Sequence, residues 1–325
     1  MKQASVSSIL VAVVLLAAGV IAHAQQPSKV LRIGYITLSS LAANSARRDA
    51  FLEGLHKLGY IEGQNVIIEY RYADSRADRL PELAAELVRL KVDIIVAGGT
   101  QVNLVAKKAT STIPIVMLNS DDPLGSGLVE SLARPGGNVT GLSTISQELS
   151  GKRLELFKES FPKIRRIAII WYSGSEPTFR ETQAAARDLG FKIQAVQVRA
   201  PEDLDNAFAA IAKEHPEGLF PATSAFMSAN RKKIIAFAAK NRLPAMYSNV
   251  EYVDDGGLMS YAANILDLHR RAAVYVDKIA KGAKPTDLPV EQPMKFEFVV
   301  NLQAAKQIGL TIPPNLLVRA DRVIK

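Results

Sequence analysis

Hydroxyls, amides and carboxylates gather at the ends of short apolar runs in this chain. They stand at Ser39-Ser40, Gly99-Thr100-Gln101, Asn119-Ser120-Asp121-Asp122, Tyr172-Ser173, Thr223-Ser224, Tyr247-Ser248-Asn249 and Tyr261. Groups of this kind hydrogen-bond a small polar solute. Any one of them is equally consistent with a turn or a helix cap; the set together predicts a binding cleft. The expected solute contacts are Ser39, Ser40, Gly99, Thr100, Gln101, Asn119, Asp121, Tyr172, Ser224, Ser248 and Tyr261. Gly98-Gly99-Thr100 lies between a strand and a helix, where backbone N–H groups can hold an anion such as a carboxylate. It lacks the Lys-Ser/Thr of a phosphate loop and is no GxGxxG fingerprint. Asp121 is a carboxylate for a solute ammonium. Asp122, directly before Pro123, reads as the cap of a helix over Leu124 to Leu132. Glu251 is a second candidate partner for an ammonium.

Residues for bond-breaking chemistry are scarce. The histidines are His23, His56, His215 and His269, and no two share metal-ligand spacing. There is no GxSxG nucleophile elbow. The chain contains no cysteine, which excludes disulfides, thiolate metal sites, Cys nucleophiles and a lipid-modified cysteine. No catalytic residue, metal or cofactor is therefore expected, and Tyr60, Tyr70 and Trp171 read as core. The net charge of +8 comes from 40 Lys and Arg against 32 Asp and Glu, mixed along the chain. Arg47-Arg48, Arg165-Arg166 and Arg231-Lys232-Lys233 stand at the starts of elements without aromatic interleaving. They read as solvated faces, and no nucleic-acid partner is expected.

The elements that must position the polar ends alternate. Val30 to Ile36 is a predicted strand, Ala46 to Leu58 a helix with Phe51, Leu55 and Leu58 on one face, and Gly59 its end. Strand 65–72, a helix through Leu80, Leu83, Leu87 and Leu90, strand 92–96, a short helix and strand 113–118 follow. The order then repeats: strand 166–171, helix 178–189 ended by Gly190, strand 192–198, helix 203–213, strand 218–220, helix 230–241 and strand 244–247. Alternation of this kind predicts parallel sheets with helices on both faces, in two related α/β lobes. Arg134 to Gly141 and the polar stretch after it read as a linker. The remainder, with strand 258–261, a long helix to Lys281, strand 296–300 and a short helix capped by Asn301, is expected to cross back and complete both lobes, forming a hinge.

Ile9 to Ile21 is an apolar run shorter than the ~20 residues of a membrane-spanning helix. Lys2 precedes it, and Ala22-His23-Ala24 follows with the small-x-small pattern of a signal-peptidase site. Export to a periplasm with cleavage after Ala24 is the expectation.

Longer motifs resemble a known family. They are Gly54-Leu-x-x-Leu-Gly-Tyr60 with Glu62-Gly-Gln-Asn65, Leu83-Ala-Ala-Glu-Leu-Val-Arg89, Asp122-Pro-Leu-Gly-Ser-Gly-Leu-Val129 and Leu132-Ala-Arg-Pro-Gly-Gly-Asn-Val-Thr-Gly141. The tail adds Gly256-Gly-Leu-Met-Ser-Tyr261, Arg270-Arg-Ala-Ala273, Leu288 to Phe296, Asn301-Leu302, Ile312-Pro-Pro-x-Leu-Leu317 and Arg319-Ala-Asp321. By these the chain resembles the exported substrate-binding components of ABC transporters, some of which bind tryptophan or other amino acids. The resemblance implies a type I periplasmic-binding-protein fold whose lobes close on a solute and then dock on a membrane permease. It implies a monomer without enzymatic activity, with residues 1–24 as signal peptide, 25–145 plus 263–292 as lobe 1, and 146–262 plus 293–325 as lobe 2. An amino acid or related carboxylate-bearing compound is the expected solute. A ligand-sensing module for a membrane signalling partner shares these features, and a secreted enzyme on the same scaffold is the remaining alternative. The family often has Asn-Pro where this chain has Tyr172-Ser173, and Tyr-Gly where it has Tyr261-Ala262. Both positions face the expected cleft, so the identity of the solute does not carry over.

Overall fold

The computed structural model describes residues 30–145, 149–293 and 295–325. The expected signal peptide lies outside the described residues. Strands β1 (Leu31–Thr37), β2 (Val66–Tyr72), β3 (Ile94–Gly98), β4 (Ile115–Asn119) and β5 (Val139–Gly141) form one sheet in the order β2-β1-β3-β4-β5, all parallel. The β-branched runs of β1, β3 and β4 are buried almost throughout, as strands covered on both faces must be. Helices α1 (Ser45–Lys57), α2 (Leu80–Arg89) and α3 (Thr100–Ala109) join them. Phe51 and Leu55 are buried, but Leu58 is 38% exposed, because it lies just past the last turn of α1 and leaves the core-facing stripe.

The pattern then repeats. Helix α4 (Leu149–Ser160) leads into β6 (Arg166–Tyr172), α5 (Glu176–Asp188), β7 (Lys192–Val198), α6 (Leu204–Lys213) and β8 (Gly218–Pro221). After α7 (Ala225–Ala229) and α8 (Arg231–Lys240) come β9 (Met246–Tyr247), α9 (Glu251–Asp254) and β10 (Met259–Ala263). The strand orders are β7-β6-β8 and β12-β11-β10-β9, where β11 is Phe296–Asn301 and β12 is Arg322–Ile324. A bridge between Leu219 and Ala245 carries the sheet from β8 to β9. Strand β11 runs antiparallel to β10.

The tail completes both lobes. Helix α10 (Ile265–Ala280) returns to the first sheet and packs on α1 and β4, burying Leu268, Ala272 and Val276. The approach is close: a Cβ on Gly54 would stand 2.2 Å from the Arg270 carbonyl oxygen. Helices α11 (Leu302–Gln307) and α12 (Pro314–Leu317) cover the second lobe with Ala304, Ile308 and Leu316. Asn301 caps α11 as expected, its Oδ1 accepting from Ala304 N at 3.0 Å.

Two expectations fail locally. The stretch read as linker holds β5 and α4. Strand β5 is three residues long, in a Pro/Gly-rich context, and exists through its pairing with β4. Helix α4 buries Ser150, Arg153 and Ser160, so its inner face carries no clean apolar period. Conversely, residues 124–132 form turns and bends, and no helix.

Candidate functional site

The carboxyl ends of β3 and β4 face those of β6 and β8 across a cavity of about 240 Å³, the volume of roughly eight liquid waters. Thr100, Gln101, Leu104, Asp121 and Asp122 line it from the first lobe. Tyr172, Ser175, Thr178, Ser224 and Phe226 line it from the second. This is the placement expected of a ligand in open parallel sheets.

Each lining residue is set by a local feature. Thr100 opens α3, and its Oγ1 accepts from Asp121 N at 3.0 Å, tying the β3 and β4 ends together. Tyr172 closes β6; its ring stacks on Phe226 with centroids 4.6 Å apart and planes 9° from parallel. Ser175 Oγ donates to the Tyr172 carbonyl at 2.8 Å and shapes the turn into α5. Ser224 caps α7, its Oγ accepting from Met227 N at 3.1 Å. The N-terminal ends of α3 and α5 therefore open toward the cavity from opposite lobes, where helix dipoles favour negative charge. Leu104, Pro177, Ala225 and the Tyr172–Phe226 pair give one apolar wall.

Two carboxylates and no basic side chain line the cavity among the described residues. Burial holds the Asp121 carboxyl above the usual carboxylate range, opposed by the Thr144 hydroxyl and by the charges of Arg153 and Arg47. Thr144 Oγ1 donates to Asp121 Oδ1 at 2.9 Å and orients the carboxylate. Asp122 Oδ1 accepts from Gly125 N at 2.7 Å. It caps a turn here, where a helix was expected. Arg153 of α4, fully buried, donates from Nε to the Tyr261 carbonyl at 2.8 Å and from Nη1 to Thr223 Oγ1 at 3.2 Å. Burial pulls its guanidinium down to about 10, against the pull of Asp121.

Of the residues expected from sequence, Thr100, Gln101, Asp121, Tyr172 and Ser224 meet at this cavity. Gly99 lies at its edge: its φ is +96°, and a Cβ there would stand 3.0 Å from the Ala225 Cβ of the other lobe. Ser39, Ser40, Asn119, Ser248 and Tyr261 do not line it. Ser40 Oγ accepts from Ala43 N at 3.2 Å. Tyr261 packs against Phe296. Asn119 accepts through its main-chain oxygen from Gly99 N, while its buried Oδ1 has no hydrogen-bond partner among the described residues. Glu251 is no partner for an ammonium at the cavity, because both of its oxygens hold Arg47. Ser175, Pro177 and Thr178 were not expected. They lie in the first turns after β6, and the strand-end rule finds them once it is carried into the following helix.

Contacts also cross between the lobes. Gln101 Nε2 donates to the Tyr172 hydroxyl at 3.4 Å, and Arg76 pairs with Glu202 at 2.6 Å on the surface. Tyr172, Phe226 and Met227 share an apolar cluster with Leu38 and Val102 of the first lobe. No cluster of three potential metal ligands occurs among the described residues, and none of their helices is long and apolar enough to cross a membrane.

Comparison with known proteins identifies the family. The model of the ABC transporter substrate binding protein family matches residues 33–324. A tyrosine-binding protein of Clostridioides difficile is 26% identical over 267 residues, covering 81% of this chain and 76% of its own. A Streptococcus pneumoniae ABC domain solved in complex with L-Trp superposes with a TM-score of 0.82 at 24% identity, covering 90% of this chain and 99% of that one. The ligand-free, open structure of a Clostridium difficile substrate-binding protein with adhesive properties superposes at 0.61 with 25% identity, covering 91% and 99%. These relatives are solute-binding proteins, not enzymes, and such proteins act outside the cytoplasm. The chain belongs to the ABC transporter substrate-binding protein family, on the type I periplasmic-binding-protein fold.

Proposed function

We propose that this chain is a periplasmic receptor that captures one amino acid with an aromatic side chain between its lobes and presents it to the membrane permease of an ABC importer. The observation that carries this reading is the lining of the cavity. Its only charged side chains among the described residues are Asp121 and Asp122, which suit an ammonium. The openings of α3 and α5 suit a carboxylate. The Tyr172–Phe226 stack and Leu104 suit a flat apolar side chain, since aromatic rings pair in offset stacks. The volume suits a single amino acid. What the two relatives named above bind, tyrosine and L-Trp, agrees with this chemistry.

Capture works by closure. The lobes are those of residues 25–145 with 263–292 and 146–262 with 293–325, and residues 1–24 are removed on export. A solute touching both lobes stabilises the closed form by its differential affinity for it. Gln101–Tyr172 then closes over the cavity. The higher superposition on the tryptophan complex than on the open relative, at nearly equal identity, supports reading this conformation as closed. The receptor works as a monomer.

Calorimetry on the mature chain tests the reading. Tyrosine, tryptophan and phenylalanine are titrated beside their amides and decarboxylated amines. Tight binding of one free amino acid, lost in both derivatives, is the expected result. Equal binding of the amine would remove the helix openings as carboxylate anchors, and binding of none of the three would overturn the aromatic assignment.

A further inference from the structure

Arg47 and Glu251 form an ion pair that the cavity does not use. Arg47 lies on α1 in the first lobe and Glu251 opens α9 in the second, 204 positions away. Arg47 Nε donates to both Glu251 oxygens, at 2.8 and 3.0 Å, and Nη2 meets Oε2 as well. The pair is buried, Arg47 at 8% and Glu251 at 7% exposure. Burial pushes the Glu251 carboxyl up, but the charge and hydrogen bonds of Arg47 outweigh it and hold the group below its ordinary range. A second arginine works beside it: Arg231 of the second lobe pairs with Asp255 at 2.7 Å and donates to the Ala43 carbonyl of the first lobe at 3.2 Å. Neither Arg47 nor Glu251 lines the cavity.

We infer that the Arg47–Glu251 pair is a closure latch, positioning the lobes over the solute and setting how long it is held without touching it. Both charges are desolvated where the lobes meet, so separation of the lobes returns them to water. Neutralising one partner leaves the other buried and uncompensated in the closed form, and opening relieves that cost. The apparent affinity of a receptor falls in proportion to its closed, competent fraction. The guanidinium fork suits this work because its planar geometry fixes register as well as charge.

The solute arm of the test rests on the capture reading; the conformational arm does not. The absence of cysteine allows clean labelling. Cysteines replacing the exposed Lys108 of the first lobe and Lys213 of the second carry a fluorophore pair in the full chain. In Glu251→Gln the solute-free chain is expected to show a longer interlobe distance than wild type. Dissociation of the amino acid found by calorimetry is expected to be about thirtyfold faster or more with association little changed, as for buried charge pairs elsewhere. The swap Arg47→Glu with Glu251→Arg is expected to restore both readouts, which a merely structural role would not predict. If Glu251→Gln does not fold, Arg47→Gln replaces it with the same expectations. A wild-type interlobe distance and dissociation rate in the folded variant would overturn the latch. If no amino acid binds even the wild type, the distance alone decides the latch, and only the capture reading falls.

Discussion

Asp121 combines two opposing requirements. In the proposed capture it must be ionised to receive an ammonium, yet its burial favours the protonated form. Asp121→Asn keeps the shape and the Thr144 contact while removing the charge. Hydrogen bonds to charged groups contribute ~1.5–3 kcal/mol, so the variant is expected to bind roughly 10- to 100-fold more weakly in calorimetry with an unchanged circular dichroism spectrum. Because the carboxyl lies above its ordinary value, wild-type affinity is expected to weaken on acidification sooner than for an exposed aspartate, and Asp121→Asn should lose that dependence. His269 shows the opposite sign. Burial, then the charge of Arg47, lower it from 6.5 to about 4, with Glu251 and the Ile265 carbonyl opposing. The unfolded chain binds the extra proton between these values, so stability is full above pH 6.5 and is lost as the pH falls toward 4. The loss reaches about 3 kcal/mol at most, and urea denaturation of His269→Gln at pH 5 and pH 7 should show a flattened slope. At this scale the sequence was half legible. Polar residues directly after strands, such as Asp121 and Tyr172, follow from a rule about sheets. The pair Arg47–Glu251 does not, since nothing local joins residues that far apart in the chain.

The elements fix where each lobe ends and how near the other comes. Gly99, between β3 and α3, holds φ 96° and ψ 148°, a conformation essentially confined to glycine. Its open side faces Ala225 of the second lobe. Gly99→Ala is expected to lower folding stability by about 1–3 kcal/mol and to weaken solute binding as well, because the new methyl group meets Ala225 only when the lobes are together. Denaturation without solute isolates the first effect, and calorimetry shows the second. Elements with a β-branched run or a clean apolar period, such as β1 and β7, could be read from sequence to within a residue or two, as could the end of α10. Those that depend on partners could not. Strand β12 is three residues long and half-exposed, and it exists through pairing with β11. Helix α4 hides because its buried face carries an arginine and two serines.

For the whole molecule, the proposed capture makes solute binding and lobe closure one equilibrium. A solute at a hundred times its Kd is expected to stabilise the chain by ~2.7 kcal/mol. Thermal melts with and without the solute should show the shift, and small-angle scattering should show the accompanying change in shape. Tyr172 and Tyr261, both expected at the cleft, contribute differently. Tyr172 enters the cavity, while Tyr261 packs beside Phe296 and offers its carbonyl to Arg153.

The return of the tail to both lobes has a consequence for how the chain is made. Helix α10 is the layer that α1 packs on, and β10 to β12 are one whole side of the second sheet. A ribosome that has released only the first 255 residues has produced two unfinished cores, each with apolar surface exposed. Neither half can fold ahead of the other, and contacts so distant in sequence form late and slowly. Truncation after Gly256 should therefore give an aggregating chain without a cooperative melt, where a protein of two sequential domains would leave its first domain intact.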